Sequence, residues 1–205
     1  VKYARLVDEP WNARLAQTSE PASEPVSVDE QKLHSRIDAP DDNQFLAVAI
    51  AASRQWIEQY LGRQLVTATW TMTLDEFPGD GVIELPRPPL ASVGSVKYYD
   101  GDRAQQTFAA AGYHVLASGA APEAPMGRIE LAEGYAWPTT YSGEGAVQIE
   151  FVAGYGAASA VPVQIKQAIR MHAAELYERR EQVVLGAVAP VAITVERLLW
   201  PLRVF

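Results

Sequence analysis

Between Asp42 and Leu61 the apolar residues recur at helical spacing. Leu46, Ile50, Ile57 and Leu61, with Ser53 in register, form one stripe, which Phe45, Ala49, Ala52, Trp56 and Tyr60 widen. The pattern predicts an amphipathic helix closed by Gly62, which adopts a left-handed cap without steric cost. The stripe is wider than one buried face requires, so Trp56 and Tyr60 are expected to contact either a neighbouring subunit or the β part of the chain. Upstream, Ser27 and Glu30 have capping-box spacing and open a shorter helix, which Asp38 to Asp42 break. Downstream, Val161, Ile165, Ile169, His172 and Leu176 lie on one face of a third predicted helix with Pro162 near its first turn, and "ERREQ" gives it a solvated end.

From Leu65 to Tyr155 the period changes from helical to alternating, in runs such as "TATWTMTLDEF", "GVIELP" and "AVQIEFVAGY". Turn signals "PGDG", "DGD" and "SGEG" separate the runs, which predicts five to seven short antiparallel strands. Pro86, Pro88 and Pro89 exclude a central strand at "LPRPPL". The fold class is therefore α+β: a helical core interrupted by an antiparallel β domain, with extended terminal arms. Its parts are an N-terminal arm (1–27), a first helical part (28–64), the β domain (65–157), a second helical part (158–186) and a C-terminal tail (187–205). The arm carries the Ser/Pro/Glu/Ala stretch "AQTSEPASEP" and reads as flexible, although Tyr3, Leu6, Val7 and Trp11 could pin its beginning.

Charge removes several function classes. With 17 basic and 25 acidic side chains the net charge is -8, so no general attraction to phosphate backbones or anionic lipid is expected. There is no cysteine, hence no disulfide, thiolate metal site or cysteine nucleophile. No apolar run approaches the roughly 18 residues of a membrane helix and no leader is read at the start, so neither a membrane protein nor a secreted one is expected.

Candidate chemistry is sparse. His172 and Glu175 have half-metal-site spacing, but a second pair would have to come from His34 or His114, and nothing in the sequence brings them near; no metal or other cofactor is expected. Asp75 and Glu76 are adjacent in a strand or at its end and face opposite ways, while Asp41 and Asp42 read as helix capping and dipole complements. No nucleophile elbow or phosphate loop is present, so no catalytic residue is assigned. An enzyme would need a cleft gathering His114, His172 and a carboxylate. Trp70, Tyr98, Tyr99, Tyr113, Trp137, Tyr141 and Tyr155 could form a sugar-binding platform, which keeps a carbohydrate-binding β module of a virion tail as an alternative; alternation places many of them in a core instead.

The chain ends "ERLLWPLRVF", with seven apolar residues in ten. Such a terminus is buried either in its own core or in a partner, and Pro201 stops any helix "VERLLW" forms. Taken in order, "EPVSVDEQKLHSRID", "WIEQYLGRQLVTATW", "LPRPPLASVGSVKYYD", "VQIEFVAGYG", "VPVQIKQAIRMHAAELYERRE" and "LLWPLRVF" resemble the head-tail connector (adaptor) proteins of tailed bacteriophages and gene transfer agents, in their longer branch with a β insertion. The resemblance covers about residues 24–205. It implies a structural virion protein of the neck, assembled in the bacterial host cytoplasm. About twelve copies would form a ring under the portal protein and extend the DNA channel, and a stopper or tail-completion protein would follow. DNA would pass without sequence-specific binding, the acidic protein repelling the duplex so that it slides. The resemblance further implies that Arg197, Leu198, Leu199, Trp200, Pro201, Leu202, Arg203, Val204 and Phe205 dock on the portal. On this expectation the tail is a docking segment and not part of its own subunit's core.

Overall fold

The Ser27 hydroxyl accepts the Glu30 amide at 3.1 Å and the Glu30 carboxylate accepts the Ser27 amide at 2.8 Å, so the predicted capping box starts helix α1 (Val28–Ser35). The computed structural model describes residues 13–38, 40–116, 119–179 and 191–204. Expectations about Trp11 and its upstream neighbours, about 180–190 and about Phe205 lie outside the described residues. Helix α2 (Asn43–Leu61) buries Leu46, Ile50, Ser53, Ile57 and Leu61, the expected stripe, and ends on Gly62 at φ 67°. Helix α3 (Val163–Glu178) runs antiparallel to it, since Tyr177 near its end donates to Asp42 at the start of α2 (2.7 Å). A fourth helix, α4 (Val191–Leu199), returns along α3 and passes into a single 3-10 turn at Trp200–Leu202.

Between α2 and α3 lie seven strands: β2 (Ala68–Leu74), β3 (Val82–Leu85), β4 (Leu90–Tyr99), β5 (Gln105–Thr107), β6 (Tyr113–Leu116), β7 (Gly127–Leu131) and β8 (Val147–Ala153). One more, β1 (Arg14–Gln17), comes from the N-terminal segment. Every strand pairing is antiparallel, in one sheet of order β1-β2-β8-β4-β5 and another of order β3-β7-β6. Strict alternation in β2 and β8 turns Trp70, Met72 and Leu74, with Val147, Ile149 and Phe151, into a core shared with Ile83, Leu85 and Ile129 of the second sheet. Gly154, at φ 126°, lets β8 leave the sheet against the Thr67 backbone, where a Cβ would stand 2.7 Å from the Thr67 nitrogen.

Two expectations change. The N-terminal arm is ordered from residue 13: β1 covers the open edge of β2, Arg14 bridges Asp75 (3.1 Å) and Glu144 (3.0 Å), and Val26 is fully buried in the helical core. A strand edge with unpaired amides and carbonyls is a strong partner for even a polar segment, so low apolar content alone did not make the arm flexible. The C-terminal tail is also corrected, because Val195, Leu199 and Leu202 are 0%, 0% and 2% exposed in the same core as α2 and α3. The α3 flank offers them an apolar groove, and the backbone groups at the end of α2 supply polar partners.

Candidate interaction surfaces

The tail is held by hydrogen bonds as well as by burial. The Val204 amide donates to the Leu61 carbonyl at 2.9 Å, satisfying one of the acceptors left open at the end of α2. Arg63, 3% exposed, donates from Nε to the Leu202 carbonyl (2.5 Å) and from Nη1 to the Ala124 carbonyl (2.7 Å). Of the nine expected docking residues, Leu199 and Leu202 therefore face inward, Leu198 packs partly on the core and Val204 is half-buried. Arg197, Trp200, Pro201 and Arg203 face outward, Trp200 with 56% of its surface exposed. The tail is thus two-sided, with an apolar inner face and an outer face of Arg and Trp.

Trp56 and Tyr60 meet α3 and the tail, not the β part. Trp56 stacks between Tyr60 (centroids 5.4 Å apart, planes at 11°) and His172 (4.8 Å, 9°). The Arg203 guanidinium caps the ladder 5.1 Å from the Tyr60 ring and also lies 5.9 Å from Trp200. At the other end, Ser53 donates its hydroxyl proton to the Ala49 carbonyl (2.7 Å). It therefore accepts from His172 Nδ1 (2.9 Å), which assigns the proton of the neutral ring to that nitrogen. Burial holds the His172 pKa below its ordinary value, against the opposing pull of Glu175.

Where helices and sheet meet, the structure has a polar centre that the sequence reading missed. The Glu58 carboxylate accepts from Arg54 Nη1 (2.8 Å), Gln64 Nε2 (2.8 Å) and the Leu65 amide (3.1 Å). Arg54 also pairs with Glu24 (2.8 Å), Gln64 accepts from the Trp70 indole (3.1 Å), and Arg87 lies over the Trp70 ring. Burial pushes the Glu58 carboxyl up, with Arg54 the largest opposing influence; for Arg54, burial works downward but Glu24 and Glu58 raise it. Such a centre orients the sheet on the helices. Its sequence signal was Arg54 and Glu58 at i,i+4 on the inward side of an apolar helix.

The β-region aromatics pack on one another. Trp137 stacks on Phe77 (4.6 Å, 4°) with Phe108 tilted against it at 5.1 Å, and Phe77 and Phe108 reach Tyr98 and Tyr113. Trp70 and Tyr155 are buried, and Tyr99 and Tyr141 meet edge to face. An open groove of about 930 Å3 passes Asp75, Phe77, Tyr135, Trp137 and Glu144, but the stacked faces of Phe77 and Trp137 are occupied by each other. Among the described residues these ring contacts are stacked, tilted or edge to face, and none sets two rings side by side in one plane as a sugar platform. His114 lies on β6 and His172 on α3, and among the described residues no group of three or more His, Asp or Glu could hold a metal ion. No described helix is long and apolar enough to cross a membrane.

The described residues thus present a buried polar centre where helices and sheet meet and an outward face of Arg and Trp on the tail. The family model of phage gp6-like head-tail connector proteins matches residues 25–107, from the α1 cap through β5. A chain in the neck of an empty gene transfer agent particle, computed with C6 symmetry, is similar at TM-score 0.77 and 25% identity, over 94% of this chain and 96% of its own. A chain in the neck of the native gene transfer agent particle, computed with C12 symmetry, gives 0.71 and 25% over 90% and 94%. One from the virion of the native particle gives 0.72 and 24% over the same shares. No curated protein matches the sequence.

Proposed function

We propose that this chain is the adaptor ring of a virion neck. About twelve copies close around an axis beneath a portal protein, extend the DNA channel, and carry the stopper or tail-completion protein on the far side. The observation that carries the reading is the likeness of nearly the whole chain to a neck chain of a gene transfer agent particle. The outer face of the tail, Arg197, Trp200, Pro201 and Arg203, docks on the portal, because Trp and Arg are the residue types that dominate binding energy in interfaces. Its inner face anchors the docking segment to the subunit. One such contact is weak, and repetition around a ring makes the joint firm. DNA slides past an acidic protein, no catalysis is involved, and assembly takes place in the host cytoplasm.

Deleting the gene tests the reading. Heads without attached tails, restored by the full-length chain and not by Trp200→Ala/Arg203→Ala, are the expected outcome. Normal tailed particles in the deletion strain would refute the connector role. Full complementation by the double variant would refute the outer tail face as the docking surface.

A further inference from the structure

Helix α2 has only two charged residues, Arg54 and Glu58, and both are turned inward, 5% and 7% exposed, and paired at 2.8 Å. Its outward arc, Gln44, Val48, Ala52, Gln55 and Gln59, is exposed over the length of the helix and carries no charge; Val48 is 63% exposed. A helix face that meets water is ordinarily rich in Lys and Glu, whereas depletion of charge marks the centre of an interface. The arc borders the Trp56 and Tyr60 edge of the aromatic ladder, which gives it a rigid apolar margin.

The distribution of charge indicates the occupant. Residues 65–157 carry eleven acidic and four basic side chains, and the rest of the chain fourteen and thirteen, so almost all the net charge of -8 sits in the β part. Copies placed side by side around an axis, as C6 and C12 symmetry require of the neck chains this one is similar to, repel wherever β parts approach closely. Close contact between copies is therefore favoured through the near-neutral helices, where α2 presents a long uncharged surface. We infer that the outward arc of α2 is one side of the contact between neighbouring copies, its occupant being a different face of the next copy, as a closed ring requires. This rests on the connector reading.

The test places the photocrosslinker p-benzoylphenylalanine at Gln55 in the full chain within assembled particles. An adduct of twice the chain's mass is expected. An adduct with another neck protein, or none, would overturn the assignment. In parallel, Val48→Glu/Gln55→Glu puts unpaired charge into the contact at two exposed helical positions. The isolated chain should melt as before while the yield of tailed particles falls roughly tenfold or more; an unchanged yield would overturn the inference. Absence of the chain from purified particles would instead refute the connector reading, and this one with it.

Discussion

Leu199 and Trp200 are adjacent but belong to opposite faces of the tail, so truncating each should give opposite results. Leu199 is fully buried among α2, α3 and the tail itself. Leu199→Ala removes three carbons from a packed site and should cost about 2 to 5 kcal/mol. For a domain of this size each kcal/mol corresponds to about 2 to 4 °C, so the melting temperature should fall by roughly 4 to 20 °C. Trp200 is 56% exposed, with the Arg203 guanidinium 5.9 Å from its ring. Trp200→Ala should therefore change stability by no more than about 1 kcal/mol while weakening portal binding. Urea unfolding of the isolated chain measures the first quantity and co-sedimentation with portal the second. If Leu199→Ala leaves the unfolding midpoint unchanged, the tail does not belong to the subunit core and the two-sided account fails.

Two further outcomes follow from the interior. Because the folded His172 pKa is depressed, the unfolded chain binds this proton more readily. That contribution to stability is fully present above the ordinary histidine value of 6.5 and is lost as pH falls through it toward the folded pKa. Comparing the pH dependence of urea midpoints, His172→Asn should flatten this part of the slope; an unaltered slope would refute the role given to His172. Arg54→Ala leaves Glu58 buried beside Gln64 and Leu65 without its hydrogen-bonded cation, Arg87 acting on it only at longer range, and should destabilise by about 3 to 5 kcal/mol, well beyond the small loss expected of an exposed Arg. A loss below about 1 kcal/mol would mean that the pair is effectively solvated.

The helices and most strands were legible in the order of residues because their determinants are local. Ser27 and Glu30 sit three apart, Leu46, Ile50, Ile57 and Leu61 share one helical face, and Trp70, Met72 and Leu74 alternate along a strand. Each pattern names its own element without reference to the rest of the chain. What those elements pack against depends on groups far away in sequence. The tail reads as a greasy end seeking a partner until the α3 groove, the Leu61 carbonyl and the Arg63 guanidinium are seen to receive it, across about 140 residues for the last two. β1 is polar and became a strand only because β2 had an open edge. The Glu58 centre draws on Glu24, Arg54, Gln64 and Leu65, and no periodicity announces such a convergence. Composition set the total charge; only the fold turned both charges of α2 inward and left its outer face bare, because burial is decided by neighbours and not by the helix alone.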